Sequence, residues 1–172
     1  MTRFFLAAAT AMTLGLPAFA GEQYIDETGF AVSGYDVVAY RDLASNAIGT
    51  QQTAGVAGQA SITAEYNDAT FAFSTKENRD KFLESPEFYA PQYDGHCAYG
   101  VSKGGKVPGN PNLWRIVDDK LYLNITTVVT GFWEEDIPGN ISLAEGNWPP
   151  IEGDDASGST IPNFMSKAPE KG

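Results

Sequence analysis

An α+β fold is what this sequence predicts: a small antiparallel sheet built from two hairpins, with three to four short helices packed on it. Three observations carry that reading. Two stretches of alternating apolar residues are each broken by a polar dipeptide, Asn67-Asp68 and Asp118-Asp119. Helix-capping residues follow each hairpin. Pro86, Gly104 and Pro149-Pro150 then stop helical segments within a few turns of their starts.

The elements follow in order. Residues 1–20 carry Arg3, a small-residue apolar stretch from Phe4 to Leu16, and Ala18-Phe19-Ala20, the pattern of a cleavable export leader. The apolar stretch is too short for a comfortable membrane span. The mature chain is expected to start at Gly21 and to lie in the periplasm or be secreted, with no membrane insertion. Gly34-Tyr35-Asp36-Val37-Val38-Ala39-Tyr40 reads as a short strand or tight turn that plants Tyr35 or Tyr40 in the core. Residues 44–58 read as a loop. Ile62 to Tyr66 and Thr70 to Phe73 form the first hairpin, with Phe71 and Phe73 on one face. Ser74-Thr75-Lys76-Glu77 matches a capping box with Ser74 as N-cap, and its helix runs to about Glu84 before Pro86.

A short helix capped by Asp94 or Gly95 is expected next, with Cys97 in its first turn and Gly104 as its stop. Exposed amides there would lower a thiol pKa. The second hairpin pairs Leu113–Val117 with Lys120–Asn124. Thr126 or Thr127 caps a helix that buries Val128, Val129, Phe132 and Trp133. Pro138 opens a last helix that ends at Asn147-Trp148-Pro149-Pro150. The domain thus spans 21–148, and the Pro/Gly/Ser-rich stretch 149–172 is expected to be a flexible tail. No internal repeat is visible beyond two generic hairpins.

Charge narrows the function. The whole chain carries −11, and loss of Arg3 with the leader makes the mature chain more acidic still. Such a surface repels nucleic acid and anionic lipid headgroups. The chain has one histidine and one cysteine, the adjacent pair His96-Cys97. A lone exported cysteine can be a buried inert thiol, an intermolecular disulfide, or a ligand or nucleophile. Adjacent side chains splay by about 100° on a helix, so only a kinked loop or a helix start lets the two converge. Copper suits a Cys/His pair with a weaker third ligand, drawn from Asp36, Asp94, Tyr35 or Met165. Two ligands are too few for structural zinc. No G-x-S-x-G elbow and no phosphate-loop spacing is present. An enzyme is therefore not expected.

Six ordered blocks carry a resemblance: Gly34–Tyr40, Tyr66–Ser74, Asn78–Phe82, Tyr89–Tyr93, Cys97–Tyr99 and Leu121–Asn124. Together they resemble the YHS domain family, closest to its exported bacterial members, over about residues 30–148. The resemblance implies metal handling, since YHS domains occur beside copper-transporting ATPases and mercury-handling proteins. The cysteines from which that role is inferred precede the first strand and stand at the strand-to-helix junction. Here those places hold Gly34-Tyr35-Asp36 and Ser74 with Asn78.

The expected function is a non-enzymatic envelope protein that binds a metal, copper first, for sensing, buffering or delivery. The expected metal ligands are Cys97, His96, Asp36 and Asp94. The alternative is a metal-free module with a buried structural cysteine. It would bind a small molecule, with Tyr35, Tyr93 and Tyr99 as contacts, or an envelope protein.

Overall fold

A computed structural model describes residues 21–172; the expected leader, 1–20, lies outside the described residues. The fold is α+β. Strands β1 (Gln59–Tyr66) and β2 (Ala69–Phe73) pair antiparallel, as do β3 (Asn110–Val117) and β4 (Lys120–Asn124). The hairpins form two separate two-stranded sheets rather than the single sheet expected. Both turns are tight because Asn67, Asp68, Asp118 and Asp119 accept positive φ, between 48° and 61°. That twist matches the strands.

Helix α1 (Lys76–Glu84) follows β2. Its N-cap is Thr75, whose Oγ1 accepts from the Asn78 amide at 3.1 Å, one residue later than expected. Ser74 is unavailable for capping because its hydroxyl donates to Asp36. A one-turn helix α2 (Pro86–Tyr89) comes next. Helix α3 is Ala98–Ser102, with Cys97 as its N-cap rather than inside its first turn. Helix α4 (Thr127–Glu134) is capped by Thr126, as the sequence indicated. Of its four expected core residues only Trp133 is buried; Val128 and Phe132 face solvent. Helix α5 (Ile137–Ile151) opens with proline in its first turn and runs through Pro149 and Pro150. Its last turn survives these prolines because the Trp148 carbonyl still receives the Glu152 amide at 2.8 Å.

The architecture repeats. In each half a backward-turning loop leads to a short helical turn, a connector (residues 43–58 in the first half, the shorter 103–109 in the second), a hairpin, a Thr-capped helix, and a proline-opened helix. The first loop holds Val32, Ser33 and Gly34 at φ 53°, 52° and 76°. The second holds Tyr93, Asp94 and Gly95 at 57°, 52° and 79°. The Gly58 amide donates to Gly34, and the Gly109 amide to Gly95. The Asp36 amide donates to Val56, and the Cys97 amide to Val107. The ladder irregularity falls at Gln59/Thr63 in one hairpin and Asn110/Trp114 in the other. Phe82 and Trp133 are each the one buried residue of their helix. Backbone geometry therefore makes Tyr35-Asp36 and His96-Cys97 equivalent positions.

Two cores hold the halves together. One gathers Tyr35, Val37, Tyr40, Phe71, Phe73, Phe82 and Trp114 with Leu121 and Leu123. The other gathers Tyr93, Ala98, Val101, Tyr122, Trp133 and Ala144. Strand β4 divides them, since alternate residues point to opposite faces. The terminal stretch, expected as a tail, lies along the body. Ile161 is buried, the Ser166 hydroxyl donates to the Ser33 carbonyl at 2.7 Å, and the Lys171 amide donates to the Thr28 carbonyl at 2.8 Å. No helix among the described residues is long and apolar enough to cross a membrane.

Candidate functional site

The left-handed Tyr93-Asp94-Gly95 loop reverses the chain and drives His96 and Cys97 inward. Both are fully buried. The Cys97 thiol donates to Asn124 Oδ1, and the Gly100 amide donates to the sulfur, each at 3.4 Å. Burial pushes the thiol pKa up and outweighs the amides of Gly100, Ile125 and Tyr99 that act the other way. The expected lowering at a helix start is thus reversed. The amides are there, but sealing the sulfur from water costs the thiolate more.

His96 sits between two backbone groups. The Ser157 amide donates to Nε2 at 3.1 Å, so Nε2 carries no proton. Nδ1–H then donates to the Tyr93 carbonyl at 2.9 Å. The ring is a neutral imidazole with both nitrogens engaged. Burial lowers its pKa to about 4 and Lys106 adds to that, while the Tyr93 carbonyl and Glu22 oppose it. Tyr24 meets the ring edge-on at 6.0 Å between centroids, and Trp148 lies at 6.1 Å.

The other expected ligands lie in separate places. Asp36 is fully buried and engaged on both oxygens. Oδ1 accepts the Val38 and Ala39 amides at 3.0 and 3.2 Å. Oδ2 accepts the Ser74 amide at 2.8 Å, the Ser74 hydroxyl at 2.6 Å and Asn78 Nδ2 at 2.8 Å. It ties the first loop to the start of α1, which is a structural task. Asp94 accepts Gln23 Nε2 at 2.6 Å on Oδ1. Its pKa is raised to about 6, first by burial and then by Glu152, against Lys106 and the Gln23 bond. Among the described residues no three His, Cys, Asp or Glu side chains stand together as a metal-holding group. Met165 is exposed.

The three tyrosines do not share a pocket either. Tyr35 is buried in the first core against Phe164. Tyr93 packs on Tyr122 and Trp148 in the second, and Tyr99 meets Phe132 at the surface with Lys103 over its ring.

A cavity lies beside His96. It measures about 390 Å³ and is walled by Tyr24 to Glu27 on one side and by Ser157 to Ile161 with Phe164 and Ser166 on the other. This volume falls within the range of small-molecule sites, about 300–1,000 Å³. Tyr24 and Ser157, both in contact with His96, belong to its lining. Sequence reasoning missed this cleft. Its walls come from residues 24–27 and 157–166, far apart in sequence, and no local pattern marks their meeting. No family model matches the chain, and no curated protein or solved structure shows significant similarity to it.

Proposed function

We propose that the protein is an exported, non-enzymatic binding module related to YHS domains, in which Cys97 is structural and a small polar ligand is taken in the cleft between Tyr24–Glu27 and Ser157–Ser166. The observation that carries this reading is the saturation of the His96-Cys97 pair inside the fold. The thiol, both imidazole nitrogens and both Asp36 oxygens already have hydrogen-bond partners. Copper binding through the pair would have to break those bonds and open the core.

The cleft offers the Ser157, Ser159 and Thr160 hydroxyls, the Tyr24 ring, and the acidic pair Asp26 and Glu27. Hydroxyls and carboxylates together suit a small hydrogen-bonding molecule that carries an amine. His96 acts as a positioning residue, holding Ser157 and Tyr24 in the wall.

Three measurements test the reading. Ellman's reagent should modify Cys97 only after denaturation, and Cu(I) stoichiometry should be equal for wild type and Cys97→Ser. A fast native thiol reaction, or a copper equivalent lost with the sulfur, returns the metal reading. A thermal-shift panel of small amines, amino acids and sugars should then contain an amine that raises Tm, with a smaller rise in Glu27→Gln. A panel in which no compound moves Tm counts against the cleft.

A further inference from the structure

Beside the cleft stands a carboxylate without a full set of partners. Asp94 Oδ2 is buried and meets no hydrogen-bond donor among the described residues. Its sister oxygen is satisfied by Gln23, and the Asp94 carbonyl by the Tyr24 amide at 2.9 Å. Lys106, the nearest cation on this face, is turned elsewhere. Its Nζ donates to the Glu152 carbonyl at 2.9 Å and the Asp154 carbonyl at 2.5 Å. Glu152 adds a like charge. A buried carboxylate in such company wants a cation with free donors.

The group lying over this oxygen is Gly21, itself buried. A Cβ at position 21 would collide with Asp94 Oδ2 and stand 2.5 Å from the Glu152 carbonyl oxygen. Two acceptor oxygens therefore converge on a residue with no room for a side chain. In the uncut chain the Gly21 nitrogen is a peptide amide with one N–H and no charge.

We propose that cleavage of the Ala20–Gly21 bond supplies the missing partner: the new α-ammonium of Gly21 seats on Asp94 Oδ2 and the Glu152 carbonyl, so that leader removal locks the fold. This rests on the export reading of residues 1–20. A leader peptidase adds one water across the peptide bond. The hydroxyl goes to the Ala20 carbonyl carbon, which leaves as a carboxylate, and the Gly21 nitrogen gains a proton. A second proton from solvent makes it an ammonium at neutral pH. It then offers three donors where the amide offered one. Gly21 cannot be replaced by a larger residue without displacing the two oxygens, which accounts for glycine directly after the cut. The lock also joins the ends of the domain, because Glu152 closes α5 and leads into the wall of the cleft.

Mature protein beginning at Gly21 should be compared with the same protein acetylated at its N-terminus, each with and without Asp94→Asn, by denaturant unfolding at pH 7 and low salt. Acetylation should lower the folding constant at least tenfold in wild type and less than twofold in Asp94→Asn. The Gly21 amine, titrated by NMR, should show a pKa above the free value of about 8. This reading stands even if Asp94→Asn fails to fold. An acetylation effect below twofold in wild type, an equal effect in both backgrounds, or an amine pKa at or below the free value overturns the lock. Intact mass of the exported protein separates the two premises. A start at any residue other than Gly21 overturns the cut itself, leaving the cleft reading to its own test.

Discussion

The two halves of this molecule share one backbone plan and put opposite chemistry at its centre. Where the first half has Tyr35-Asp36, the second has His96-Cys97. Each second residue receives an amide from the helical turn it opens and reaches across to the end of the following hairpin. Asp36 does so with a carboxylate that collects five hydrogen bonds. Cys97 does so with a thiol that makes two long ones. Each first residue offers an acceptor to the C-terminal segment: Tyr35 Oη takes the Lys167 amide at 3.4 Å, and His96 Nε2 takes the Ser157 amide at 3.1 Å. The lesson is that the unusual residues occupy places the fold needs filled. Their rarity in the sequence reflects the position, and does not by itself signal metal chemistry.

The largest break in the comparison should come from Asp36. Asp36→Ala strips an acceptor from five buried or half-buried donors, and an unsatisfied buried donor costs about 1–3 kcal/mol. Some will find water, so the expected loss is about 3–5 kcal/mol in denaturant unfolding. Asp36→Cys, which copies the second half into the first, should lose nearly as much, because a thiol cannot accept on two oxygens. A loss below about 1 kcal/mol for either variant would show that the carboxylate is not the tie described here.

His96 gives the next effect, and its sign is definite. The unfolded ring titrates near 6.5 and the folded one near 4. The unfolded chain therefore binds more protons between these values. The contribution of His96 is complete above about pH 6.5, falls as pH drops toward 4, and is gone below that, for a total on the order of 3 kcal/mol. Protonation would also set a second N–H against the Ser157 amide. His96→Tyr, which imitates Tyr35, should flatten the stability profile across this window. Stability that stays constant from pH 7 to 4.5 in an Asp94→Asn background, which removes the neighbouring carboxyl, would contradict the neutral buried ring.

The glycines sharpen the comparison further. Gly34 and Gly95 hold the same left-handed φ, a conformation that costs any L side chain roughly 1 kcal/mol. Their surroundings differ. A Cβ on Gly95 meets nothing nearer than 3.8 Å, whereas one on Gly34 meets the Ala168 Cβ at 2.7 Å. Gly95→Ala should cost about 1 kcal/mol and Gly34→Ala about 2 kcal/mol, the excess arising from a displaced C-terminal segment. Equal costs would mean that this segment does not bear on the first loop in solution.

Those glycines also show what the sequence could and could not disclose. The hairpins were legible because Asn67-Asp68 and Asp118-Asp119 sit at turns that need positive φ. Thr126 and Pro138 marked helix starts, and Pro86 the end of α1, through capping and ring geometry, which are local; that Pro86 also opens α2 was not read. The repeated backbone plan was not legible. At equivalent positions the halves keep Gly34 and Gly95, Gly58 and Gly109, and Thr75 and Thr126, but pair Tyr with His, Asp with Cys, and Phe with Trp. Glycine is retained at 58 and 109 because a Cβ would lie 2.6 Å from the Ala72 backbone and 2.7 Å from Leu123 Cβ. The rest tolerates any residue of suitable bulk. Burial of Cys97 was hidden for a related reason. It follows from β4 passing beside the sulfur, a contact made across 27 residues. Ser74 lost its capping role to Asp36, across 38 residues. Long-range partners leave no periodic trace.

At the central pair of the second half the effect of a conservative exchange at Cys97 is small. Cys97 makes one weak donor contact and accepts one amide, and the chain around it is held by backbone bonds that do not involve sulfur. The Cys97 amide reaches Val107 at 2.8 Å, and its carbonyl receives the Val101 amide at 3.0 Å. Serine can keep both side-chain contacts with a shorter bond and a smaller atom. The exchange loses some packing and buries a more polar group, so Cys97→Ser should cost about 1 kcal/mol. Cys97→Asp asks more of the same site. It would copy the first half into the second, but Ile125 and Val129 stand where Ser74 and Asn78 supply side-chain donors to Asp36, so a buried carboxylate there would have backbone amides alone and should be the worse variant. If Cys97→Asp were instead as stable as wild type, the second half would have kept the donor set of the first, and the thiol would need another explanation.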